Sequence, residues 1–267
     1  MPRFAANLSM LFTEHVLLDR FAAAAQAGFR AVELQFPYAA AACDIRQRLT
    51  DNGLTMVLHN LPAGDWDAGE RGIACHPDRV EEFRAGVAQA IGYAQTLGVA
   101  QLNCLAGIAP SGVLPELVHD TFVENVAYAA TALKAHGLRL LIEPINTFDI
   151  PGFHLNRTAQ AVAILEQVGA DNAFVQYDIY HAQRMEGELA ATLQRYWPRI
   201  GHIQVADNPG RHEPGTGEIN YRYLFGLLDT LGYSGYVGCE YKPQDAGVRG
   251  TGSGLSWVIE HGFRLHE

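Results

Sequence analysis

The feature of this sequence that most constrains its fold is a junction that recurs along the chain. At each junction a helix-like stretch is followed by a glycine and then by a short apolar run that ends in a polar residue. Five junctions have this form, namely Gly28 to Glu33, Gly53 to His59, Gly98 to Asn103, Gly137 to Glu143 and Gly232 to Glu240. The runs AFVQYD and GHIQVAD and the segment Phe4–Leu8 are similar, which gives eight candidate strands.

The segments between the candidate strands have the periodicity of amphipathic helices. Asp78–Gly98 and Glu124–Gly137 are the clearest examples. In the second segment a helical stripe runs through Val126, Ala130, Leu133 and, at its polar rim, Lys134. The glycines stand where helices end, because glycine adopts the left-handed conformation of a helix C-cap at little cost. Strands therefore alternate with helices along the chain.

Alternating strands and helices, with strands that are apolar almost throughout, predict a parallel sheet covered by helices. Eight such units in 267 residues predict an α/β fold, a single (β/α)8 TIM barrel that spans residues 1–267 as one domain. The alternative is an open doubly wound sheet, but no GxGxxG motif follows the first candidate strand.

The formal net charge of −10 limits the partners that the chain can have. Nucleic acids and anionic membranes are bound through basic faces, so we expect neither as a partner. We interpret the N-terminus MPRFAANLSMLFTEH as mature protein, and no run approaches the roughly 18 apolar residues of a membrane span. The cysteines, Cys43, Cys75, Cys104 and Cys239, form no CxxC pair, which favours buried reduced thiols in a cytoplasmic protein.

In a barrel of this kind, the carboxyl ends of the strands and the loops after them form the active-site face. The polar residues at or near such strand ends are Glu33, His59, Asn103, Glu143, Asp178, Gln204 and Glu240. We expect them to converge on one site, with Glu33 and Asn103 orienting their neighbours. The segment Leu61–Pro77, rich in glycine and polar residues, is predicted to be a loop over the barrel mouth.

Three of these carboxylates, Glu143, Asp178 and Glu240, would repel one another unless a positive charge lay between them. Gln204 can add a carbonyl oxygen to their anionic oxygens. This oxygen-rich set predicts a divalent metal ion, magnesium or manganese, because zinc prefers nitrogen and sulfur ligands. The alternative is that each carboxylate forms a separate salt bridge with an arginine or lysine.

Five stretches carry a resemblance to a known family: LHNLPAGDWDAGERGIACHP, LLIEPIN, VQYDIYHAQRMEG, GHIQVADNPGRHEPGTGEINY and GYVGCEY. They resemble the hydroxypyruvate isomerase family, one of the xylose-isomerase-like barrels, and the resemblance covers essentially the whole chain. It implies that Glu143 and Glu240 are the paired catalytic glutamates, and that Glu143, Asp178, Gln204 and Glu240 hold the metal. It also implies that His181 contacts substrate. Related sugar epimerases usually carry a histidine where Gln204 stands.

The resemblance implies an isomerase that interconverts hydroxypyruvate and tartronate semialdehyde. Such an enzyme moves a proton between adjacent carbons through an enediolate, with one glutamate removing the proton and a glutamate returning it. A metal ion would act as Lewis acid and template. The expected partner is a small anionic hydroxy-oxo acid. Which glutamate acts first stays open, as does assembly into a homo-oligomer.

An acid substrate carries a carboxylate that needs a cationic partner in this acidic site. Arg211, in the stretch ADNPGRHEPGTGE, is suited to bind it through two parallel hydrogen bonds. The further candidates for contact with substrate are His59, Arg71, His181, His212 and Lys242. The structural alternatives are a solvated loop arginine, an ion pair between Lys242 and Glu240, and a histidine that is merely hydrogen-bonded at the barrel mouth.

Other functions stay open at this point. A 2-oxotetronate isomerase would carry out the same proton shift on a four-carbon acid at a nearly identical site. A ketose 3-epimerase is disfavoured by Gln204 and Arg211, and a DNA-repair endonuclease is disfavoured by the net charge of −10. A sugar-acid binding protein is disfavoured because unneutralised carboxylates would hinder the binding of an anion.

Overall fold

Eight parallel strands close into a barrel in the computed structural model, which describes residues 2–245 and 250–265. The strands follow one another around the barrel in chain order. They are β1 (Arg3–Asn7), β2 (Ala31–Leu34), β3 (Thr55–Asn60), β4 (Gln101–Cys104), β5 (Arg139–Ile142), β6 (Ala173–Asp178), β7 (Ile200–Val205) and β8 (Tyr236–Cys239). The predicted (β/α)8 TIM barrel is confirmed.

Helices follow each strand and cover the outside of the barrel. The described α-helices are α1 (Arg20–Gln26), α2 (Ala42–Asp51), α3 (Val80–Leu97), α4 (Pro115–Lys134), α5 (Thr158–Val168), α6 (Ile179–Met185), α7 (Leu189–Tyr196), α8 (Tyr221–Thr230), α9 (Gly250–Ser253) and α10 (Ser256–Glu260). Short 3-10 helices lie at Leu17–Asp19, Pro37–Ala39, Pro77–Arg79 and Trp197–Arg199.

The helix α3 shows how the sequence determines these elements. One face of α3 is buried, at Phe83, Val87, Ala90, Ile91, Ala94 and Leu97. Their spacing of three and four residues lets a single apolar stripe pack against the barrel. The helix ends at Gly98, whose φ of 74° is left-handed and whose N–H donates to the carbonyl of Ala94. The glycine at the junction is therefore a C-cap, as predicted.

The register of the strands sets the layer in which the polar side chains lie. Asn7 of β1 aligns with Glu33 of β2, and Asp178 of β6 aligns with Gln204 of β7. Gln204 aligns in turn with Gly238 of β8. A Cβ atom at position 238 would lie too close to the Glu33 carboxylate, so any larger residue there would displace the Glu33 side chain. Buried polar residues thus cross the barrel at the carboxyl ends of its strands.

Two segments outside the strands bear on the sequence predictions. The residues of the segment Leu61–Pro77 that precede the 3-10 helix form neither helix nor strand, as expected for a loop. The helix α4 begins at Pro115, upstream of the predicted segment Glu124–Gly137. The first turn of a helix tolerates a proline, because an N–H group at that position would have no acceptor within the helix.

The cysteines depart in one respect from the prediction. All four are free thiols, and Cys75, Cys104 and Cys239 are buried as expected. The expectation of burial is wrong for Cys43, which is exposed because it lies in the first turn of α2, on the outside of the molecule. Within residues 2–245 and 250–265, no helix has both the length and the apolar character that crossing a membrane requires.

Candidate active site

Two glutamates stand directly after strands on opposite sides of the barrel mouth. Glu143 follows β5, and its Oε2 accepts a hydrogen bond from Asn103 Nδ2 at 2.8 Å. Glu240 follows β8, and its Oε1 accepts a hydrogen bond from the side-chain amide of Gln35. Each glutamate is therefore held by one of its two carboxylate oxygens.

Asp178 is held in the same manner through the start of a helix. It is the last residue of β6 and the N-cap of α6. Its Oδ1 accepts hydrogen bonds from the backbone N–H groups of Tyr180 at 2.8 Å and His181 at 3.3 Å. An N-cap carboxylate satisfies helix N–H groups that have no partner within the helix. The strand-to-helix turn thus orients this carboxylate and leaves Oδ2 for other partners.

The remaining carboxylate oxygens lie around one guanidinium. Asp178 Oδ2 and Glu240 Oε2 are buried and have no hydrogen-bond partner among the described residues. Arg211 Nη2 lies 3.7 Å from Asp178 Oδ2 and 3.6 Å from Glu240 Oε2. Glu143 Oε1 lies 4.0 Å from His181 Nε2. Asp178 and Glu240 therefore share this arginine. Among the described residues, the three carboxylates are short of positive charge if all of them are ionised.

Burial and the mutual repulsion of the carboxylates shift their pKa values upward. Burial raises the pKa of Glu143 well above its usual range, and the carboxylates of Glu240 and Asp178 raise it further. Burial likewise raises the pKa of Glu240 to about 8, although the Arg211 guanidinium opposes the change. Burial also raises the pKa of Asp178, against the same guanidinium. A bound cation would favour the ionised forms of all three groups.

The donor atoms of this cluster suit a divalent cation. Potential ligand atoms of Glu143, Asp178 and His181 lie within 4.8 Å of one another and are all buried, so the group could hold a metal ion. Glu240 adds a buried carboxylate oxygen without a hydrogen bond in the described part of the chain. Hard carboxylate oxygens of this kind favour magnesium or manganese in general. The charge and the unpaired oxygens thus fit a metal.

Gln204 lies beside Asp178, with its amide already fixed. Its Nε2 donates to Glu33 Oε1 at 2.7 Å, and its Oε1 accepts a hydrogen bond from Gln176 Nε2 at 2.6 Å. Glu33 also accepts hydrogen bonds from His202 Nε2 at 2.9 Å and Asn7 Nδ2 at 3.0 Å. Only the second lone pair of the Gln204 carbonyl remains for a metal. Glu33 orients neighbours, as the sequence suggested.

A hydrogen-bond network from the loop after β5 contacts His181 at its Nδ1 atom. Its Nδ1 lies 2.7 Å from Asn146 Nδ2. Asn146 Nδ2 also donates to Asp149 Oδ2 at 3.0 Å, and Asp149 pairs with Arg184 at 2.5 Å. Burial, followed by the charges of Arg211 and Arg184, lowers the pKa of His181 well below its ordinary value. The imidazole is therefore neutral.

Two adjoining cavities give access to these side chains. The inner cavity has a volume of about 70 Å3 and is lined by residues that include Asn60, Leu105, Glu143, Ile145, His181 and Glu240. The outer vestibule has a volume of about 600 Å3 and is lined by residues that include Arg71, Asp149, Tyr180, Arg184 and Lys242. Both are lined by Gln35, Trp66, Ile150 and Arg211. A larger cavity is lined by Ala27 and by residues between Gly252 and Leu265. None of the site side chains lines it.

The structure distributes the predicted substrate contacts unevenly. Arg211 and His181 line the inner cavity, and Arg71 and Lys242 line the vestibule. His59 and His212 are not among the residues that line either cavity. His59 is fully buried beside Tyr38, with Nδ1 at 3.1 Å from the Asn60 carbonyl oxygen. His212 Nδ1 faces the carbonyl oxygen of Lys242 at 2.8 Å.

The residues of the site that the sequence did not predict include the three amides of Gln35, Asn60 and Asn146. Gln35 holds Glu240, Asn60 lines the inner cavity, and Asn146 contacts His181. All three stand within a few residues of a strand's carboxyl end, and that position was the available signal. The predicted site residues were the polar residues that directly end each apolar run, such as His59 after LTMVL.

Comparisons with known proteins place this geometry in a family. The family model "Xylose isomerase-like TIM barrel" matches residues 21–261. Hydroxypyruvate isomerase of Escherichia coli (strain K12) is 57% identical over 258 residues, which are 97% of this chain and 98% of that protein. The 2-oxo-tetronate isomerase of Cupriavidus necator is 52% identical over 258 residues, with the same coverage of 97% and 98%.

Solved structures share the barrel fold of this chain. A structure described as an AP endonuclease, family 2, from Brucella melitensis has a TM-score of 0.93 and 45% identity, and the match covers 97% of this chain and 99% of that one. A 3-keto-D-glucoside 4-epimerase from E. coli has a TM-score of 0.80 at 17% identity over 97% and 99% of the chains, which shows the fold alone. From these matches along nearly its whole length, the chain belongs to the hydroxypyruvate isomerase and 2-oxo-tetronate isomerase family of xylose isomerase-like TIM barrels.

Proposed function

We propose that this protein interconverts hydroxypyruvate and tartronate semialdehyde by proton transfer through an enediolate. The observation that carries the proposal is the arrangement of Glu143, Asp178 and Glu240. One oxygen of each carboxylate accepts a hydrogen bond that fixes the side chain, and Glu143 and Glu240 line the inner cavity together with Arg211. The arrangement supplies two proton-transfer groups and a cation at a buried site. The E. coli relative named as hydroxypyruvate isomerase supports the same reaction.

The two glutamates are suited to the proton transfer. In hydroxypyruvate one carboxylate removes a proton from C3, the hydroxyl-bearing carbon, and a glutamate returns a proton to C2, while the hydroxyl proton moves from O3 to O2. Glu143 and Glu240 reach the inner cavity from different strands, so they can address different faces of a small substrate. Burial raises the pKa of both glutamates, and a bound cation would favour the ionised form, in which a glutamate can accept a proton from carbon.

Glu143, Asp178 and Glu240, with Gln204 through its second lone pair, would hold a magnesium or manganese ion. Such an ion supplies Lewis-acid stabilisation of a developing oxyanion when it is bound. The unpaired oxygens of Asp178 and Glu240 within the described residues support this assignment. Asn103, Gln35 and the N-terminus of α6 keep the carboxylates in place during the reaction.

Arg211 is the proposed partner of the substrate carboxylate. It lies at the junction of the two cavities, and its Nε is buried without a hydrogen-bond partner in the described chain. A guanidinium can present two parallel N–H donors to a carboxylate. Arg71 and Lys242 in the vestibule add positive charge along the path by which an anion would enter.

A second candidate substrate is 2-oxotetronate, which has one more carbon. The inner cavity of about 70 Å3 favours the smaller acid. The vestibule of about 600 Å3 that adjoins it would accommodate the extra hydroxymethyl group. The Cupriavidus necator relative that is named a 2-oxo-tetronate isomerase also favours this candidate.

Proton NMR in D2O tests the proposal directly. Hydroxypyruvate and 2-oxotetronate are offered separately, each with added magnesium or manganese and each with a chelator. We expect formation of the isomer and incorporation of solvent deuterium with hydroxypyruvate, and loss of both signals in the chelated sample. Unreacted spectra with both acids in the presence of metal would reject the isomerase, and turnover of the four-carbon acid alone would establish the second candidate.

A further inference from the structure

The side-chain amide of Asn146 has a fixed orientation. Its Oδ1 accepts hydrogen bonds from the backbone N–H groups of Phe148 at 3.1 Å and Asp149 at 2.8 Å. Its Nδ2 donates to the Asp149 carboxylate at 3.0 Å. Because Oδ1 faces only donors and Nδ2 faces an acceptor, exchanging the two atoms would break all three hydrogen bonds. Asn146 is fully buried, so water does not compensate such a loss.

The fixed amide determines which nitrogen of His181 carries the proton. His181 Nδ1 is approached by two donors of Asn146, the side-chain Nδ2 at 2.7 Å and the backbone N–H at 3.4 Å. Neither donor can act as an acceptor, so Nδ1 must present its lone pair. A neutral imidazole has one proton, which therefore lies on Nε2.

The Nε2–H group faces the reacting site. It lies 3.7 Å from Asp178 Oδ2 and 4.0 Å from Glu143 Oε1, both of which are acceptors. Arg211 Nη2, a donor, is also 3.4 Å away. That contact opposes a proton on Nε2, but it is longer than the 2.7 Å contact at Nδ1, and the guanidinium has Asp178 and Glu240 as partners. The Asn146 contacts therefore decide the tautomer.

We propose that Asn146 is a positioning residue, which fixes His181 as a neutral Nε2–H donor to an oxygen of the substrate. The donor role rests on the proposed isomerase function, in which oxyanion character develops on an enediolate oxygen. The same tautomer excludes His181 from the metal ligands. A metal-bound histidine usually donates its other N–H to a carboxylate or carbonyl, whereas His181 Nδ1 receives two hydrogen bonds. The carboxylates are then left as the ligands.

Nitrogen NMR of the 15N-labelled full-length protein tests the tautomer without substrate. The long-range 1H–15N spectrum should show His181 with a protonated Nε2 and an unprotonated Nδ1, and the His181→Gln spectrum assigns its signals. Addition of magnesium should leave the tautomer unchanged. A proton on Nδ1 in the unmodified protein, or loss of the Nε2 proton when magnesium is added, would overturn the proposal.

Variants at position 146 test the positioning role. In Asn146→Asp, the oxygen that replaces Nδ2 accepts a hydrogen bond, so the proton should move to Nδ1. In Asn146→Ala, the backbone N–H of residue 146 still faces Nδ1 at 3.4 Å, but the closer side-chain donor is lost, so the preference for a proton on Nε2 should weaken. A preference of unchanged strength would show that the side chain does not fix the tautomer. His154, outside the network, serves as the internal reference, and its signals should not change. An unchanged His181 tautomer in Asn146→Asp would contradict the proposal.

Kinetics then test the consequence for the reaction. Loss of a donor to an oxyanion typically lowers kcat by about 10²–10³-fold. We expect Asn146→Asp to lower kcat by that order with a much smaller change in KM, and the remote Asn52→Asp control to keep its activity. A normal kcat in an Asn146→Asp protein with the shifted proton would refute the donor role. The NMR result is independent of turnover, so failure of the isomerase assay alone would count against the proposed function and not against the tautomer.

Discussion

Glu143 and Glu240 each have one carboxylate oxygen anchored by a side-chain amide, and both residues line the inner cavity, which makes a test of single residues possible. A glutamine at position 143 or 240 keeps the size of the side chain, and an amide oxygen can still accept the hydrogen bond from Asn103 or Gln35. It cannot accept a proton from carbon. Replacing either glutamate should therefore affect chemistry much more than folding.

We predict that Glu143→Gln and Glu240→Gln each lower kcat by about 10²–10⁴-fold, the usual contribution of a general acid or base. Thermal unfolding should be unchanged or shifted upward, because each change removes a buried carboxylate from a cluster short of positive charge. Glu81→Gln, on a side chain that is 89% exposed, is the control. Activity above about a tenth of the unmodified value in either variant would remove that glutamate from the proposed mechanism.

His59 offers a separate test at the residue scale, through the pH dependence of stability. Burial lowers its pKa from 6.5 to about 4, although the Asn60 carbonyl opposes the change. The unfolded chain binds the proton near pH 6.5, whereas the folded protein binds it only near 4. The stability that neutral His59 contributes is therefore present above pH 6.5 and is lost as the pH falls towards 4.

Since each pKa unit corresponds to about 1.4 kcal/mol, His59 should account for a loss of about 3 kcal/mol of unfolding free energy across this interval. Urea unfolding at a series of pH values measures the loss. His59→Gln should flatten the pH profile, and the exposed His15→Gln should leave it as it is. A His59→Gln protein with the original slope would mean that other groups cause the acid sensitivity.

At the scale of elements, the loop between β7 and α8 is built to direct Arg211 into the barrel. The buried carboxylate of Asp207 accepts hydrogen bonds from the backbone N–H groups of Asn208 at 2.9 Å, Gly215 at 2.8 Å and Ile219 at 3.1 Å. Arg211 itself has a φ of 59°, and its carbonyl accepts from the N–H of Lys242. The loop thus holds a strained residue between two strands' carboxyl ends.

We predict that Arg211→Ala lowers kcat/KM for the acid substrate by about ten- to a hundredfold, the value of a charge-assisted hydrogen bond. The loss should appear mainly in KM if the guanidinium binds the substrate carboxylate. Arg211→Lys keeps the charge without the planar fork and should recover only part of the loss. Asn208→Ala in the same loop, whose side chain donates to the exposed Glu218, is the control. Unchanged kinetics in Arg211→Ala would indicate that Lys242, and not Arg211, binds the substrate carboxylate.

The strand ends also show how far the sequence could predict the site. Glu143, Asp178 and Glu240 were identified because a carboxylate at the end of an apolar strand has no role in packing. The side of the strand was harder to assign for β3, since successive side chains point to opposite faces. The sequence favoured His59 for substrate contact, whereas Asn60 lines the inner cavity. The position of Asn146 beside His181 depends on the conformation of the loop after β5, and no periodicity in the sequence predicts that conformation.

Across the whole molecule, charge is distributed so that an anion is drawn to one place. The chain has a net charge of −10, yet the described residues that line the vestibule include Arg71, Arg184, Arg211 and Lys242 against one carboxylate, that of Asp149. Asp149 is paired with Arg184 at 2.5 Å. A cleft that carries one sign of charge focuses its field and raises the rate at which ions of the opposite sign arrive.

We therefore predict that kcat/KM for the anionic substrate falls as ionic strength rises, while kcat stays nearly constant. The effect should develop between about 10 mM and 0.3 M salt, where the Debye length shrinks from about 30 Å to below 10 Å. The double variant Arg71→Gln, Lys242→Gln should flatten this dependence because it removes two cations from the vestibule. The control is the double variant Arg195→Gln, Arg222→Gln, which changes the net charge by the same amount at exposed positions on α7 and α8. Its kcat/KM should depend on salt as steeply as that of the unmodified enzyme. Equal slopes in both double variants would attribute the salt effect to net charge alone, and a kcat/KM that is independent of salt in the unmodified enzyme would remove the vestibule from substrate capture.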